Sequence, residues 1–400
     1  MQKTQLFSKD KKEESKLNII QFLPYFPPHK WWLETVAEEW SYFYAKKSFW
    51  EVINITFDVG QNISQIDQKN LIKNKKQEII WYCTNWYKVY LLPSFDIISN
   101  FPVPKFWKTN FWEILRITGV FSRKNKTIIQ THTRFFLSSL LWWLFAKYHK
   151  LKWVHIEHGS DYVQLSSPLK TKISYMYDRI IWKWIFKKAD KIVAISDWVK
   201  RFIQNEFVSR EVEIIHNGVH FSPIEKQNNI SYIKIWFVGR LVKLKWVDML
   251  IQAFQKLKNI YPNIILEIVW DGEEREKLEK FSSSDIRFLR MKNREEVAYF
   301  LSNCDILVNP SFQEGLPTTV LEWLLSKCVV VATDVGGTKE ISTFDDLIIV
   351  KKWNNESLKK WIEKAILSYK ELSWLSYNHI IENFNWDKNI EKYFSLYKKI

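Results

Sequence analysis

Apolar residues along this chain fall in short unbroken runs, and the stretches between many of those runs carry helical spacing. Runs at 18–22, 51–57, 127–131, 154–157, 191–195 and 213–216 have the length and composition of buried strands. The first run leads through a loop with Pro24, Pro27 and Pro28 to Trp31, Trp32 and a helix predicted over 33–47. After a polar stretch at 223–231, which reads as a linker, the pattern restarts. Strands are predicted at 233–238, 264–269, 287–289, 304–308, 329–332 and 347–350, with helices at 247–257, 273–280, 294–301 and 356–367. Strand and helix in alternation define an α/β chain of two doubly wound, Rossmann-like halves in series. The expected boundaries are a tail at 1–16, an N-terminal domain at 17–222, a C-terminal domain at 223–382 and a closing helix at 383–400. Between 58 and 106 the pattern is weak, and Pro102 and Pro104 require the stretch 100–106 to be extended or looped. Sheets of this kind bind ligands outside the carboxyl ends of their strands, so two such sheets predict a site in a cleft between them.

Composition narrows the classes. At 400 residues, 46% hydrophobic and 16% aromatic, the chain can bury two ordinary cores and is not disordered. Three cysteines, Cys83, Cys304 and Cys328, give neither a disulfide framework nor a zinc cluster, which suits a reducing cytoplasm. No apolar run reaches membrane-spanning length, and the longest, 135–145, holds Ser138 and Ser139 and reads as a buried helix. The first 16 residues mix Lys with Glu and have no apolar centre, so they read as a tail and not a signal peptide. The net charge of +15 suits nucleic acid, an anionic membrane surface or phosphorylated small molecules; low-GC coding rich in Lys, Ile and Asn is a fourth source. One imbalance stands apart: 9 glycines and 22 tryptophans, where average usage predicts about 28 glycines.

Candidate chemistry gathers at predicted strand ends. From Asn309 to Glu322 the chain passes from a strand through a turn at Gly315 into a helix beginning near Pro317. The first-turn N–H groups of such a helix favour phosphate oxygens, and Glu314 and Glu322, eight residues apart, can border one cleft. Gly239 and Arg240 follow the strand 233–238, with Lys243 and Lys245 in the same loop; a guanidinium and an ammonium suit a diphosphate whose charge builds as it leaves. An Asp271-Gly272 turn follows 264–269, and 332–337 ends in Gly336-Gly337 ahead of Glu340. His158 follows the strand 154–157 and His132 the strand 127–131; each has an alternative as a hydrogen-bonded structural histidine. Taken singly, these charges read as solvated turns. No cluster with metal-ligand spacing occurs, and no strand is followed by the glycine fingerprint of a dehydrogenase.

In their joint order, Arg240 with Lys245, the Asp-Gly turn, Glu314 and Glu322, and Val335-Gly336-Gly337 with Glu340 resemble the nucleotide-sugar half of the retaining glycosyltransferases of family 4, which have the GT-B fold. The likeness covers roughly 233–341. More loosely, 27–34 resembles the family's Gly-Gly-Leu-Glu loop, Glu157-His158-Gly159 its histidine loop, Ile215-His216-Asn217-Gly218-Val219 its crossover, and Phe384-Asn385-Trp386 the turn before its last helix. The resemblance implies a UDP- or GDP-sugar donor, no cofactor and no metal. Arg240 and Lys245 would neutralise the leaving diphosphate, Glu322 would hold the ribose, Glu314 would face the transferred sugar, and His158 would contact the sugar or orient the acceptor. Gly315, Leu316, Gly239, Asn217, Trp31 and Trp32 complete the implied binding set. The acceptor would be a glycan or a lipid-linked one, in cell-surface polysaccharide or glycolipid synthesis. Peripheral contact with the inner face of an anionic membrane is the further partner expected, and nucleic acid is not one. A catalytically silent scaffold and a nucleic-acid or anionic-surface binder stay open as other classes.

The same alignment exposes the glycine deficit. Trp31, Trp32, Trp246 and Trp270 stand where the family has glycine, at turns where backbone approaches phosphate or takes a positive φ. Trp142, Trp143, Trp153, Trp198 and Trp236 are weaker cases, whereas Trp386 matches a family tryptophan. A bacterial gene that uses UGA for glycine, translated with UGA as tryptophan, predicts this pattern. A protein truly rich in tryptophan, using indoles as stacking platforms, is the other reading.

Overall fold

The computed structural model describes residues 17–27, 32–46, 50–58, 70–73, 79–84, 86–98, 101–123, 125–134, 137–162, 167–219, 232–290, 294–350 and 355–400. The expected tail 1–16, the linker 223–231 and Trp31 lie outside the described residues. Contacts group the chain into two units, one made chiefly of residues 1–155 and the other of 156–188 with 192–398.

In the first unit, strand Leu17–Phe22 lies between Trp50–Phe57 and Lys126–His132, parallel to both. Lys88–Leu92 continues the parallel order beside Trp50–Phe57. Ile79–Cys83 and Leu71–Lys73 then add antiparallel strands on that side. The first strand is buried along its whole length, as its apolar run predicts. Its one long polar residue, Gln21, is held in a buried network: its amide donates to Asn54 Oδ1 at 2.8 Å and to Ser41 Oγ at 3.0 Å. The proline-bearing stretch is extended, as expected: Phe101–Pro104 pairs antiparallel with Ser94–Ile98 in a separate two-stranded ribbon. That setting tolerates residues without an N–H to donate.

The second unit carries a six-stranded sheet in the order Ile286–Leu289, Ile264–Val269, Ile233–Val238, Ile306–Asn309, Val329–Thr333, Leu347–Val350. Every pairing in it is parallel. Counted along the chain this is 3-2-1-4-5-6, with the order reversing between Ile233–Val238 and Ile306–Asn309. Strands buried on both faces need continuous apolar runs, which is why these strands were readable; Ile235, Phe237, Ile264, Leu266, Ile268, Val308 and Val331 join helices Val247–Lys258 and Asn355–Leu372 in one core. Each such fully buried side chain contributes about 1.5–3 kcal/mol of apolar burial.

Two predicted elements shift for local reasons. The fourth strand of this sheet starts at Ile306 and not at 304, because Asp305 turns its carboxylate to the Lys234 N–H at 2.9 Å. The helix predicted over 273–280 is only Arg275–Leu278 with a 3₁₀ turn at Glu279–Phe281, and the Arg275 guanidinium folds back to the Trp270 carbonyl at 2.6 Å. The apolar run at 135–145 is indeed helical from Leu137 to Tyr148, with Trp142 and Phe145 buried. No described helix is long and apolar enough to cross a membrane.

Candidate active site

The point where the strand order reverses is where sheets of this class bind ligands, and the predicted residues of the second unit collect there. Ile233–Val238 ends in Gly239 and Arg240, followed by a 3₁₀ turn at Lys243–Lys245. Ile306–Asn309 ends in the turn that carries Glu314 and Gly315. The two loops are tied together across the reversal: the Phe312 N–H donates to the Leu244 carbonyl at 2.8 Å, and Lys245 Nζ lies 2.5 Å from Glu314 Oε1. Both side chains of that pair are mostly withdrawn from water, 20% and 15% exposed. Asn309 Nδ2 approaches the same carboxylate oxygen at 3.4 Å.

Helix Thr318–Leu325 begins directly after Pro317, as predicted, and Glu322 is half-buried on its second turn. Leu316 is buried under the turn. The turn has no room for side chains. A Cβ on Gly315 would lie 2.2 Å from the His158 carbonyl oxygen. Gly336 adopts a left-handed φ of 56°, and a Cβ there would lie 1.7 Å from the Glu314 carbonyl oxygen. The Gly337 N–H donates to the Gly315 carbonyl at 2.9 Å, and the Ser196 hydroxyl donates to the same oxygen at 3.2 Å. Four strand-end loops, at 157–160, 196–198, 314–316 and 336–340, are thus drawn together within one unit.

Two carboxylates to which the sequence assigned no role organise these loops. Glu157 is fully buried and its Oε1 accepts the backbone N–H groups of His158 at 3.1 Å and Gly159 at 2.7 Å, fixing the histidine loop. Glu340 accepts the N–H groups of Asp197 at 2.6 Å and Trp198 at 2.8 Å, so a carboxylate sits on the N-terminus of helix Asp197–Glu206. Burial works to raise the Glu340 pKa, but the His216 imidazole 3.8 Å away and the two N–H groups outweigh it, leaving it below the ordinary carboxylate value. The only advance signal was the position of Glu340 three residues after the Gly336-Gly337 pair.

The remaining predicted residues divide. His158 is buried at 4% exposure with its loop against Gly315. Asn217 is fully buried and neither of its amide atoms has a hydrogen-bond partner among the described residues. Arg240 and Lys243 are exposed. Trp32 opens helix Trp32–Lys46, whereas Trp31 precedes the described part. His132 is a core histidine: its Nε2 lies 2.9 Å from Gln130 Nε2 and 3.1 Å from Gln21 Oε1. Trp246 and Trp270 hold φ of 47° and 124°, two of the five described non-glycine residues at positive φ. Among the described residues no group of three His, Cys, Asp or Glu is placed to hold a metal ion.

A fold of parallel sheets with strand-end loops of this kind is that of a GT-B glycosyltransferase, and comparison with known proteins agrees. The family model for glycosyl transferases group 1 matches residues 222–383, and that for glycosyltransferase family 4 matches 78–222. An uncharacterised glycosyltransferase of Methanocaldococcus jannaschii is 33% identical over 407 aligned positions, 96% of this chain and 99% of that protein. Sucrose-phosphate synthase of Thermosynechococcus elongatus superposes with a TM-score of 0.74 at 15% identity, covering 96% of this chain and 98% of that one. Anabaena HepE, solved with UDP and glucose, gives a TM-score of 0.69 at 13% identity over 96% of this chain and all of its own. The two structural likenesses bear on the fold alone. The chain belongs to the group 1 and family 4 glycosyltransferases.

Proposed function

We propose that this enzyme transfers a sugar from a UDP- or GDP-sugar to a glycan or lipid-linked acceptor with retention of anomeric configuration, in cell-surface polysaccharide or glycolipid synthesis. The observation that carries the proposal is the Lys245–Glu314 pair joining the loops after the first and fourth strands of the six-stranded sheet, at its order reversal. The Lys245 ammonium has three donors, so it can hold Glu314 and a phosphate oxygen together. Arg240 adds a guanidinium fork to the leaving diphosphate, and charge neutralisation by these two groups needs no metal and no cofactor. The N–H groups of Gly315 and Leu316, at the mouth of helix Thr318–Leu325, and the backbone at Gly239 add donors or close approach. Glu322 takes the ribose hydroxyls, Glu314 faces the transferred sugar, and His158, on the loop fixed by Glu157, meets the sugar or acceptor. Asn217, whose buried amide is unsatisfied by the described residues, completes the binding set. Nucleic acid has no part in this reading, and the enzyme works in the cytoplasm or on the inner face of the membrane.

The proposal includes Trp31, Trp32, Trp246 and Trp270 as glycines in the organism. What supports it is that Trp246 and Trp270 hold positive φ, a region that suits glycine and strains an indole-bearing residue; Trp32, at the start of a helix, is not among the positive-φ residues. Protein with glycine at the four positions should be screened against nucleotide sugars by thermal shift. One UDP- or GDP-sugar is expected to raise the unfolding midpoint, by about 2.7 kcal/mol of stabilisation at a hundredfold excess over its Kd. A flat response to every nucleotide sugar would leave a silent scaffold of the same fold as the better reading.

A further inference from the structure

Beyond the histidine loop, from Pro168, the chain forms one continuous helical segment. It runs as an α-helix from Pro168 to Tyr177, a π-helical turn at Asp178–Trp182 and an α-helical turn at Lys183–Phe186. Its inner side is ordinary core: Ser174, Asp178, Trp182, Ile185 and Phe186 are buried. Its outer side is not an ordinary surface. Leu169, Ile173, Met176, Ile180 and Trp184 recur at steps of four, three, four and four and are between 47% and 68% exposed. That spacing puts them in one row along the helix, and the π turn, wider than an α turn, keeps the row on the outside. Four of the five are aliphatic, so the row does not depend on how the tryptophan codons are read.

The charges beside this row have one sign. Lys170, Lys172, Arg179, Lys183, Lys187 and Lys188 are exposed along the segment. Its single carboxylate, Asp178, is 1% exposed and points inward. Among the described residues only Arg179 is paired with a carboxylate of a neighbouring helix, Glu206 at 3.2 Å. An apolar stripe bordered by lysines and stripped of outward acid is the pattern of a helix that lies in the headgroup layer of an anionic bilayer, its stripe toward the acyl chains and its lysines among the phosphates. A second copy of the chain is the poorer occupant, because pairing row to row would set lysines against lysines.

We infer that the outer face of the segment from Pro168 to Phe186 is a docking surface for an anionic lipid bilayer. It gives the general expectation of membrane contact a location, and it requires neither a donor nor an acceptor to hold. The test is flotation with phosphatidylcholine vesicles, with and without phosphatidylglycerol. The full chain is expected to float with the anionic vesicles only and to be released at about 0.5 M salt. Ile173→Ser combined with Ile180→Ser, and separately Lys172→Glu combined with Lys183→Glu, are each expected to lower binding about tenfold or more, with the unfolding midpoint unchanged because all four residues are exposed. Failure of the unaltered chain to float, or equal flotation of both variants, overturns the inference. So does a dimer in sedimentation that the Ile173→Ser, Ile180→Ser pair dissociates. None of these outcomes depends on nucleotide-sugar binding, so this surface and the transferase reading can fail separately.

Discussion

Gly336→Ala is expected to destabilise the C-terminal unit by about 2–5 kcal/mol and to abolish nucleotide binding with it. Two penalties combine. The left-handed φ of 56° disfavours any side chain with a Cβ, at about 1–2 kcal/mol. The larger difficulty is steric, since the new methyl would sit 1.7 Å from the Glu314 carbonyl oxygen and 2.6 Å from its carbon. Both obstacles are backbone, so no rotamer change relieves them. The chain must instead move one loop away from the other, which breaks the Gly337 N–H bond to Gly315 and displaces Glu314 from Lys245. Lys339→Ala is the control in the same segment: its ion pair with Asp334 is exposed and should be worth about 0–1 kcal/mol. Chemical unfolding of the two variants measures the difference. Equal stability would mean that the meeting of these two turns does not hold the site together.

Trp246→Gly and Trp386→Gly should behave in opposite ways, although both exchange the largest side chain for the smallest. Trp386 is 1% exposed, with its indole against Gly218, whose Cβ would come within 2.6 Å of the ring; deleting it should cost about 3–5 kcal/mol. Trp246 is half-buried, 5.7 Å between centroids from Phe312, and sits at φ 47° and ψ 39° between a 3₁₀ turn and helix Val247–Lys258. Glycine there relieves about 1–2 kcal/mol of left-handed strain, so the variant should be neutral or more stable. Thermal unfolding decides, and the native gene supplies the independent check. Codons 31, 32, 246 and 270 reading UGG, together with a Trp246→Gly variant as damaged as Trp386→Gly, would end the glycine reading.

The strands of the six-stranded sheet were legible because burial on both faces demands unbroken Ile, Val and Leu, as in Ile264–Val269. The start of helix Thr318–Leu325 was legible because Pro317 marks its entry. The stretch 58–106 was not legible as strands. Its elements are short and partly antiparallel, Leu71–Lys73 has two exposed residues of three, and Phe101–Pro104 carries prolines that strand statistics disfavour. In the candidate site, the residues that carry charge could be named from spacing within single loops. What could not be read is which loops meet. Gly315 and Ser196 are 119 positions apart, and Glu340 and Asp197 are 143 apart. No local period encodes such contacts; they follow from the order in which parallel strands are laid side by side. Glu157 was hidden for a different reason, since a strand-end glutamate looks like surface charge until its carboxylate is seen turned back onto the N–H groups of His158 and Gly159.

On the proposed reading, the loops at the reversal of the six-stranded sheet hold the diphosphate and ribose of a nucleotide-sugar donor. Calorimetric titration of UDP and GDP tests it most directly, using protein with glycine at positions 31, 32, 246 and 270 and the same protein carrying Arg240→Ala or Glu322→Ala. One of the two nucleotides should bind, and each substitution should weaken it about tenfold to a hundredfold while the unfolding midpoint stays in place, as expected for loss of charge-assisted hydrogen bonds. Unchanged affinity in both variants would contradict the assignment of the site.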